Sequence, residues 1–236
     1  MGAMTDSTQT GLGSPLRRVG IVLLASLYAV IAWSKLARTF DAVEALRDED
    51  GAHHALIAVH SLSGVVFFGA LAAVSVFRPA PVRREHRPIG WILPMVVMGL
   101  FFVLGRPEPT TSALWLVIPA TLFGVLGTAA TLVSLRRLGS NFGVISDVRG
   151  FVSSGPYRRV RHPLYASELV TSFGLLLVVL SPLTVAAFVL GAAAQVARAC
   201  VEEQAVTAAF PEYQDYARRT PMLIPRIRVR PWSARR

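Results

Sequence analysis

Two groups of polar residues in the second half of the chain have the side chains needed to bind a small charged molecule. The first group lies in the stretch SSGPYRRVRHPLYASE, residues 153–168, and the second is the adjacent glutamate pair of the sequence VEEQ. Arginine binds carboxylates, glutamate accepts hydrogen bonds from ammonium and hydroxyl groups, and aromatic rings pack against flat heterocycles. The candidate binding residues are Tyr157, Arg158, Arg161, His162, Pro163, Tyr165, Glu202 and Glu203.

The apolar run between the two groups must position them. Residues 169–197 carry no charge, and 29 residues are too many for one ordinary membrane span of about 20 residues. Pro182 lies near the middle of this run, where proline interrupts a helix. His162 precedes Pro182 by 20 residues and Glu202 follows it by 20. A helical hairpin with its turn at Pro182 therefore brings both groups to the same depth, because each arm rises about 1.5 Å per residue.

The rest of the chain is equally apolar. It is 53% hydrophobic and 16% charged, whereas soluble domains carry about 25% charged residues. Four further uncharged runs, at 19–34, 55–77, 89–105 and 109–135, each fit one helix. The sequence therefore predicts an all-α integral membrane protein with about six transmembrane segments. We divide it into residues 1–135, with a tail and four helices, and residues 136–236, with a surface loop, the hairpin and a polar tail.

The charge pattern predicts the orientation. The net charge is +10, and arginines concentrate in the segments 78–87, 136–161 and 198–236, whereas the loop 38–50 has five acidic residues. Basic loops stay in the cytoplasm, so both termini and the polar groups should face it. The basic residues serve orientation and contact with anionic lipids, so no nucleic-acid partner is predicted. Arginine outnumbers lysine by 23 to 1, which is typical of a GC-rich bacterial source and favours the bacterial inner membrane.

The single cysteine, Cys200, excludes an internal disulfide, and we expect it to be a small packing residue. Gly124 and Gly127 in the fourth segment indicate close helix packing. No metal site is predicted.

The pattern R-H-P-x-Y at residues 161–165, followed about forty residues later by the glutamate pair, resembles the isoprenylcysteine carboxyl methyltransferase family and the related phospholipid methyltransferases. The resemblance covers roughly residues 134–225, including EEQAVTAAFPEYQDYARRTPMLIP and a looser upstream match, LGSNFG. It implies a helical membrane protein whose C-terminal half encloses S-adenosylmethionine and transfers its methyl group to a lipophilic acceptor. The residues given a catalytic role on this basis are Asn141, Arg161 and Glu203.

Several alternatives stay open at this stage. The acceptor is an isoprenylcysteine-like carboxylate, a phenolic or polyketide lipid, a phospholipid amine or a small thiol. A membrane sterol-type reductase has a related C-terminal organisation and would use NADPH instead. A transporter or scaffold protein is disfavoured because the first four segments contain few polar residues. Expected partners are the lipophilic substrate and membrane lipids, and the sequence does not predict an oligomeric state.

Overall fold

A computed structural model describes residues 13–47, 50–76, 89–104, 113–139 and 151–226. Within these ranges the chain contains helices and no strands, so the predicted all-α class is confirmed. The helices are α1 (Gly13–Glu44), α2 (Gly51–Val76), α3 (Ile89–Leu104), α4 (Leu114–Leu138), α5 (Pro163–Val178), α6 (Pro182–Ala209) and α7 (Tyr213–Arg219), with short 3-10 turns at Ala45–Arg47 and Gly155–Arg158.

Six of these helices occupy the places of the predicted membrane segments. Four spans are long and apolar enough to cross a bilayer, namely Val22–Arg47, Gly51–Val76, Leu114–Leu138 and Pro182–Ala209. The other two, α3 and α5, are 16 residues long, so the count of six crossings stays a prediction. Large apolar side chains such as Trp33 and Trp115 are more than 70% exposed, as expected for a surface that faces lipid.

The helices pack in a chain of neighbours. Helix α1 packs on α2, α2 on α4, and α4 on α5, while α3 packs on α6. At the α4–α5 crossing, a Cβ on Gly127 would lie 2.7 Å from the backbone nitrogen of Thr171, and one on Gly174 would lie 2.7 Å from the carbonyl oxygen of Ala120. The predicted role of Gly124 and Gly127 in close packing is therefore confirmed, and this crossing fixes α5 against the rest of the bundle.

The hairpin turn is built from local capping interactions. Helix α6 begins at Pro182, whose fixed φ suits the first helical position. Ser181 caps the helix, because its Oγ accepts a hydrogen bond from Thr184 N at 3.2 Å while Thr184 Oγ1 accepts one from Ser181 N at 2.9 Å. The predicted turn at Pro182 is confirmed. Cys200, by contrast, is exposed on α6, so its expected role as a packing residue was wrong.

Candidate functional site

A cleft lies at the ends of α5 and α6 that are remote from the Pro182 turn. Its walls are the 3-10 turn Gly155–Arg158, the start of α5, the last part of α6 and helix α7. Together with the solvent space at its open mouth, the cleft has a volume of about 600 Å³. Both polar groups singled out in the sequence contribute to its lining.

Glu203 is held on one side of the cleft by two basic side chains. Arg161 donates from Nε to Glu203 Oε1 at 2.6 Å and from Nη2 to Oε2 at 3.0 Å, a bidentate ion pair. His162 Nε2 lies 2.9 Å from the same Oε1 atom. The hairpin predicts this contact, because it brings His162, just before α5, to the same depth as Glu203, near the end of α6.

Arg161 also joins the cleft to the C-terminal segment. Its Nη1 donates to the carbonyl oxygens of Ala217 and Thr220, both at 2.7 Å, at the end of α7. The backbone N–H groups of Arg161 and His162 donate to Pro221 O at 2.8 Å and Met222 O at 3.0 Å. All three guanidinium nitrogens are thus engaged by the protein itself, and the side chain fixes α7 as a wall of the cleft.

Tyr165 forms the deep side of the cleft. Its ring stacks on the His162 ring with a centroid distance of 5.2 Å and an interplanar angle of 6°. Its hydroxyl donates to Glu202 Oε2 at 2.6 Å, and the Arg198 guanidinium lies 4.7 Å from the ring centroid. Below this layer, Gln195 donates to the buried carboxylate of Glu168. A polar network therefore continues from the cleft floor into the bundle.

Another part of the cleft lining is aromatic. Phe151 lies 5.5 Å from Tyr213 and 6.1 Å from Tyr216, measured between ring centroids. Tyr216 donates its hydroxyl to the carbonyl oxygen of Tyr157 at 2.6 Å, which holds α7 against the 3-10 turn. Burial raises the pKa of Tyr216 to about 12 and also raises the pKa of Tyr213. Both hydroxyls therefore stay protonated at neutral pH and can donate hydrogen bonds.

Tyr157 has an unsatisfied group in the cleft wall. The residue is 5% exposed, and its hydroxyl is buried with no hydrogen-bond partner among the residues that the structure describes. Burial, reinforced by the charge of Glu202, raises the pKa of this hydroxyl above its usual value. A buried donor without a partner costs about 1 to 3 kcal/mol, so a ligand acceptor at this point would recover that free energy.

The structure brings most of the sequence-predicted residues together. Tyr157, Arg161, His162, Tyr165, Glu202 and Glu203 line the cleft. Pro163 is buried and begins α5, and Arg158 is exposed beside the cleft without lining it. Asn141 lies outside the described residues, so its catalytic role stays a prediction, as do the ligand roles of the others.

Sequence reasoning missed two sets of residues. The aromatic wall had a signal, because Tyr213 and Tyr216 are three residues apart in FPEYQDY, a spacing that puts both rings on one face of a helix. The buried network had a weaker signal, an ionisable residue next to or within an apolar run. The missed residues are Phe151, Tyr213, Tyr216, Glu168, Gln195 and Arg198.

The sequence of this part of the chain matches a known protein family. A family model described as phospholipid methyltransferase matches residues 114–213, which include α4, the hairpin and most of the cleft. The chain belongs to this family.

Two curated bacterial relatives are similar over about two thirds of the chain. The first, the cobalt-zinc-cadmium resistance protein CzcN of Cupriavidus metallidurans, is 42% identical over 168 residues, covering 66% of this chain and 74% of the relative. The second, the nickel-cobalt-cadmium resistance protein NccN of Alcaligenes xylosoxydans xylosoxydans, is 41% identical over 160 residues, covering 65% and 72%.

Proposed function

We propose that this protein uses S-adenosylmethionine to methylate a lipophilic acceptor at the cytoplasmic face of the bacterial inner membrane. The observation that carries the proposal is the cleft itself, which is lined by both charged and aromatic side chains at the end of the helical hairpin. S-adenosylmethionine has a charged methionyl end, which suits the charged residues, and a flat adenine, which suits the aromatic ones. Membership of the phospholipid methyltransferase family supports the reaction class.

The residues present fit this cofactor. Within the described part of the chain the Tyr157 hydroxyl is a buried donor without a partner, and it is suited to the carboxylate or a ribose oxygen of the cofactor. Glu202 has one carboxylate oxygen on Tyr165 and offers the other to a cation or a hydroxyl group. Phe151, Tyr213 and Tyr216 supply rings for the adenine. No strand occurs among the described residues, so a nucleotide-binding turn after a strand does not contribute.

The cofactor, when bound, supplies an activated methyl group on its sulfonium. The protein's own contribution is to align the reactants and exclude water. Arg161 keeps Glu203 and α7 in position through its four side-chain hydrogen bonds, so we assign it a positioning role. The His162–Tyr165 stack closes the deep side. A base is required only if the acceptor binds in its protonated form. The carboxylates lining the described cleft that could serve as this base are Glu202 and Glu203.

The acceptor class stays broad within the proposal. The cleft opens at the end of helices whose outer surfaces are apolar, so an acceptor dissolved in the membrane can approach along them. Isoprenylcysteine-like carboxylates, phenolic or polyketide lipids and phospholipids all meet this condition. The names of the two relatives concern resistance to divalent metals. Among the described residues no group of three His, Cys, Asp or Glu side chains could hold a metal ion, so we propose that any contribution to resistance acts through methylation.

Ligand-dependent stability tests the cofactor. S-adenosylhomocysteine should raise the thermal stability of the protein purified in detergent, and NADPH should not. A ligand that binds only the folded state stabilises it by about 2.7 kcal/mol at a hundredfold excess over Kd. Stabilisation by NADPH alone would instead support a sterol-type reductase. A screen of host lipid extracts with methyl-labelled S-adenosylmethionine then identifies the acceptor, and a metal-salt growth assay of a deletion strain tests the resistance context.

A further inference from the structure

The two adjacent glutamates of the cleft differ in how far their charge is neutralised. Glu203 receives both Arg161 and His162, as described above. Glu202, by contrast, receives the neutral hydroxyl of Tyr165 on its Oε2 atom. A neutral donor leaves the charge of a carboxylate in place, whereas a bidentate guanidinium offsets it. Glu202 is therefore the carboxylate in this cleft that keeps its charge available to a ligand.

The charges behind the cleft do not remove this excess. Glu168 and Arg198 are each 5% exposed, and Arg198 interacts electrostatically with Glu168 and, less strongly, with Glu202. Across the cleft and the network below it, the three carboxylates face two guanidinium groups in the described part of the chain, when His162 is neutral. Arg158 and Arg159 are exposed beside the cleft, where water and salt screen them. Because the bidentate pair of Arg161 goes to Glu203, the excess negative charge falls on the Glu202 side of the cleft.

We infer that Glu202 makes the cleft selective for the cationic sulfonium form of the cofactor over its neutral thioether product. This inference rests on the proposed function. In the reaction the methyl carbon bonds to the acceptor nucleophile while its bond to sulfur breaks, and the bonding electron pair stays on sulfur. The sulfur thereby loses its positive charge, so the attraction to Glu202 disappears and the product is released more readily.

The surroundings of Glu202 suit a sulfonium better than an ammonium. An ammonium has three N–H donors and needs three acceptors, whereas a sulfonium has none and needs only a negative charge and polarisable neighbours. Tyr165 lies against Glu202, and one turn further along α6 the cleft is lined by the apolar side chain of Val206. Such a lining provides a carboxylate and aromatic or apolar surface, but few further acceptors.

Binding measurements on the full-length protein in detergent test this inference. Two ligands are compared by calorimetry in the absence of acceptor: S-adenosylmethionine, which is cationic at sulfur, and S-adenosylhomocysteine, which is neutral at sulfur. The wild-type protein should bind S-adenosylmethionine more tightly. Glu202→Gln keeps an oxygen for the Tyr165 hydroxyl but removes the charge, so S-adenosylmethionine affinity should fall about tenfold or more, as expected when a close opposite charge is lost. The affinity for S-adenosylhomocysteine should change less than about threefold.

The matched control is Glu212→Gln, which removes the same charge from an exposed position before α7 and should leave the affinity ratio unchanged. An equal loss for both ligands would overturn the inference, because it would assign Glu202 to the ammonium that both ligands share. No loss for either ligand would also overturn it. Tighter binding of S-adenosylhomocysteine than of S-adenosylmethionine by the wild-type protein would contradict the inference without any variant. Failure of the wild-type protein to bind either ligand would refute the proposed function itself.

Discussion

At the scale of single residues, Arg161 belongs to a recognisable sequence motif but makes contacts that the motif does not predict. The sequence places an arginine before a histidine and a proline, which resembles a cofactor-binding motif. The sequence does not indicate that the C-terminal segment packs against this motif. The hydrogen bonds that hold it run from the Arg161 guanidinium and backbone to the carbonyl oxygens of Ala217, Thr220 and Pro221. Backbone acceptors are common to all residue types, so such contacts cannot be inferred from residue identity.

Replacing Arg161 should therefore affect both binding and the C-terminal wall. Arg161→Gln removes the ion pair to Glu203 and the bonds that hold the end of α7, so S-adenosylhomocysteine affinity should fall about tenfold or more. Limited trypsin digestion should cut faster at Arg218 and Arg219, which are exposed at the end of α7. Arg47→Gln, at an exposed position in the 3-10 turn after α1, is the control and should change neither measurement. Weakened binding without faster digestion would mean that Arg161 contacts the cofactor directly.

His162 and Glu203 should act as a unit, because they share one short contact. His162→Ala or Glu203→Gln should weaken cofactor binding by about 1.5 to 3 kcal/mol, the value for a hydrogen bond to a charged group. The double variant should lose less than the sum of the single losses. Calorimetric Kd values for the four proteins give the coupling free energy. Normal binding by both single variants would show that this cluster is not part of the cofactor site.

At the scale of helices, the sequence predicted the hairpin but not its supports. The turn was predictable because Pro182 interrupts an uncharged run that is too long for one helix. The structure adds that α5 packs more extensively along α4 than along α6. This preference depends on small residues at Gly127 and Gly174 that allow two backbones to approach. Sequence alone reveals small residues, but not which partner helix uses them.

A single added methyl group at the α4–α5 crossing should lower the stability of the protein. In Gly127→Ala the new Cβ would lie 2.7 Å from Thr171 N and 3.1 Å from Ser167 O, and backbone cannot yield as a flexible side chain can. We expect a loss of about 1 to 3 kcal/mol, as for overpacking, seen as a lower melting temperature in detergent. Gly69→Ala is the matched control, because no atom of the described residues lies within 4 Å of the corresponding Cβ on α2. Equal melting temperatures for the two variants would contradict the tight crossing.

At the scale of the whole molecule, the distribution of charge and the position of the cleft give one orientation. The cleft lies at the end of α6 that is followed by α7 and the arginine-rich C-terminal tail, and the short turn Ala45–Arg47 belongs to the acidic loop after α1. Basic segments remain in the cytoplasm, so the cleft should face the cytoplasm and this turn the outside. Replacing the exposed native Cys200 by alanine provides a background without cysteine. Single cysteines are then introduced at Ala45 and at Gln214, an exposed position on α7.

In intact cells, a membrane-impermeant thiol reagent should label the cysteine at position 45 and leave the one at position 214 unlabelled. After the membrane is permeabilised, both should react, which controls for the reactivity of position 214. The reason is that the S-adenosylmethionine supply is cytoplasmic, so a working cofactor cleft must open on that side. Labelling of position 214 alone would place the cleft outside and contradict the proposed use of this cofactor. Labelling of both positions in intact cells would mean that the end of α1 and α7 both lie outside the cell. That result would contradict the orientation and exclude the arrangement of helices that the charge pattern predicts.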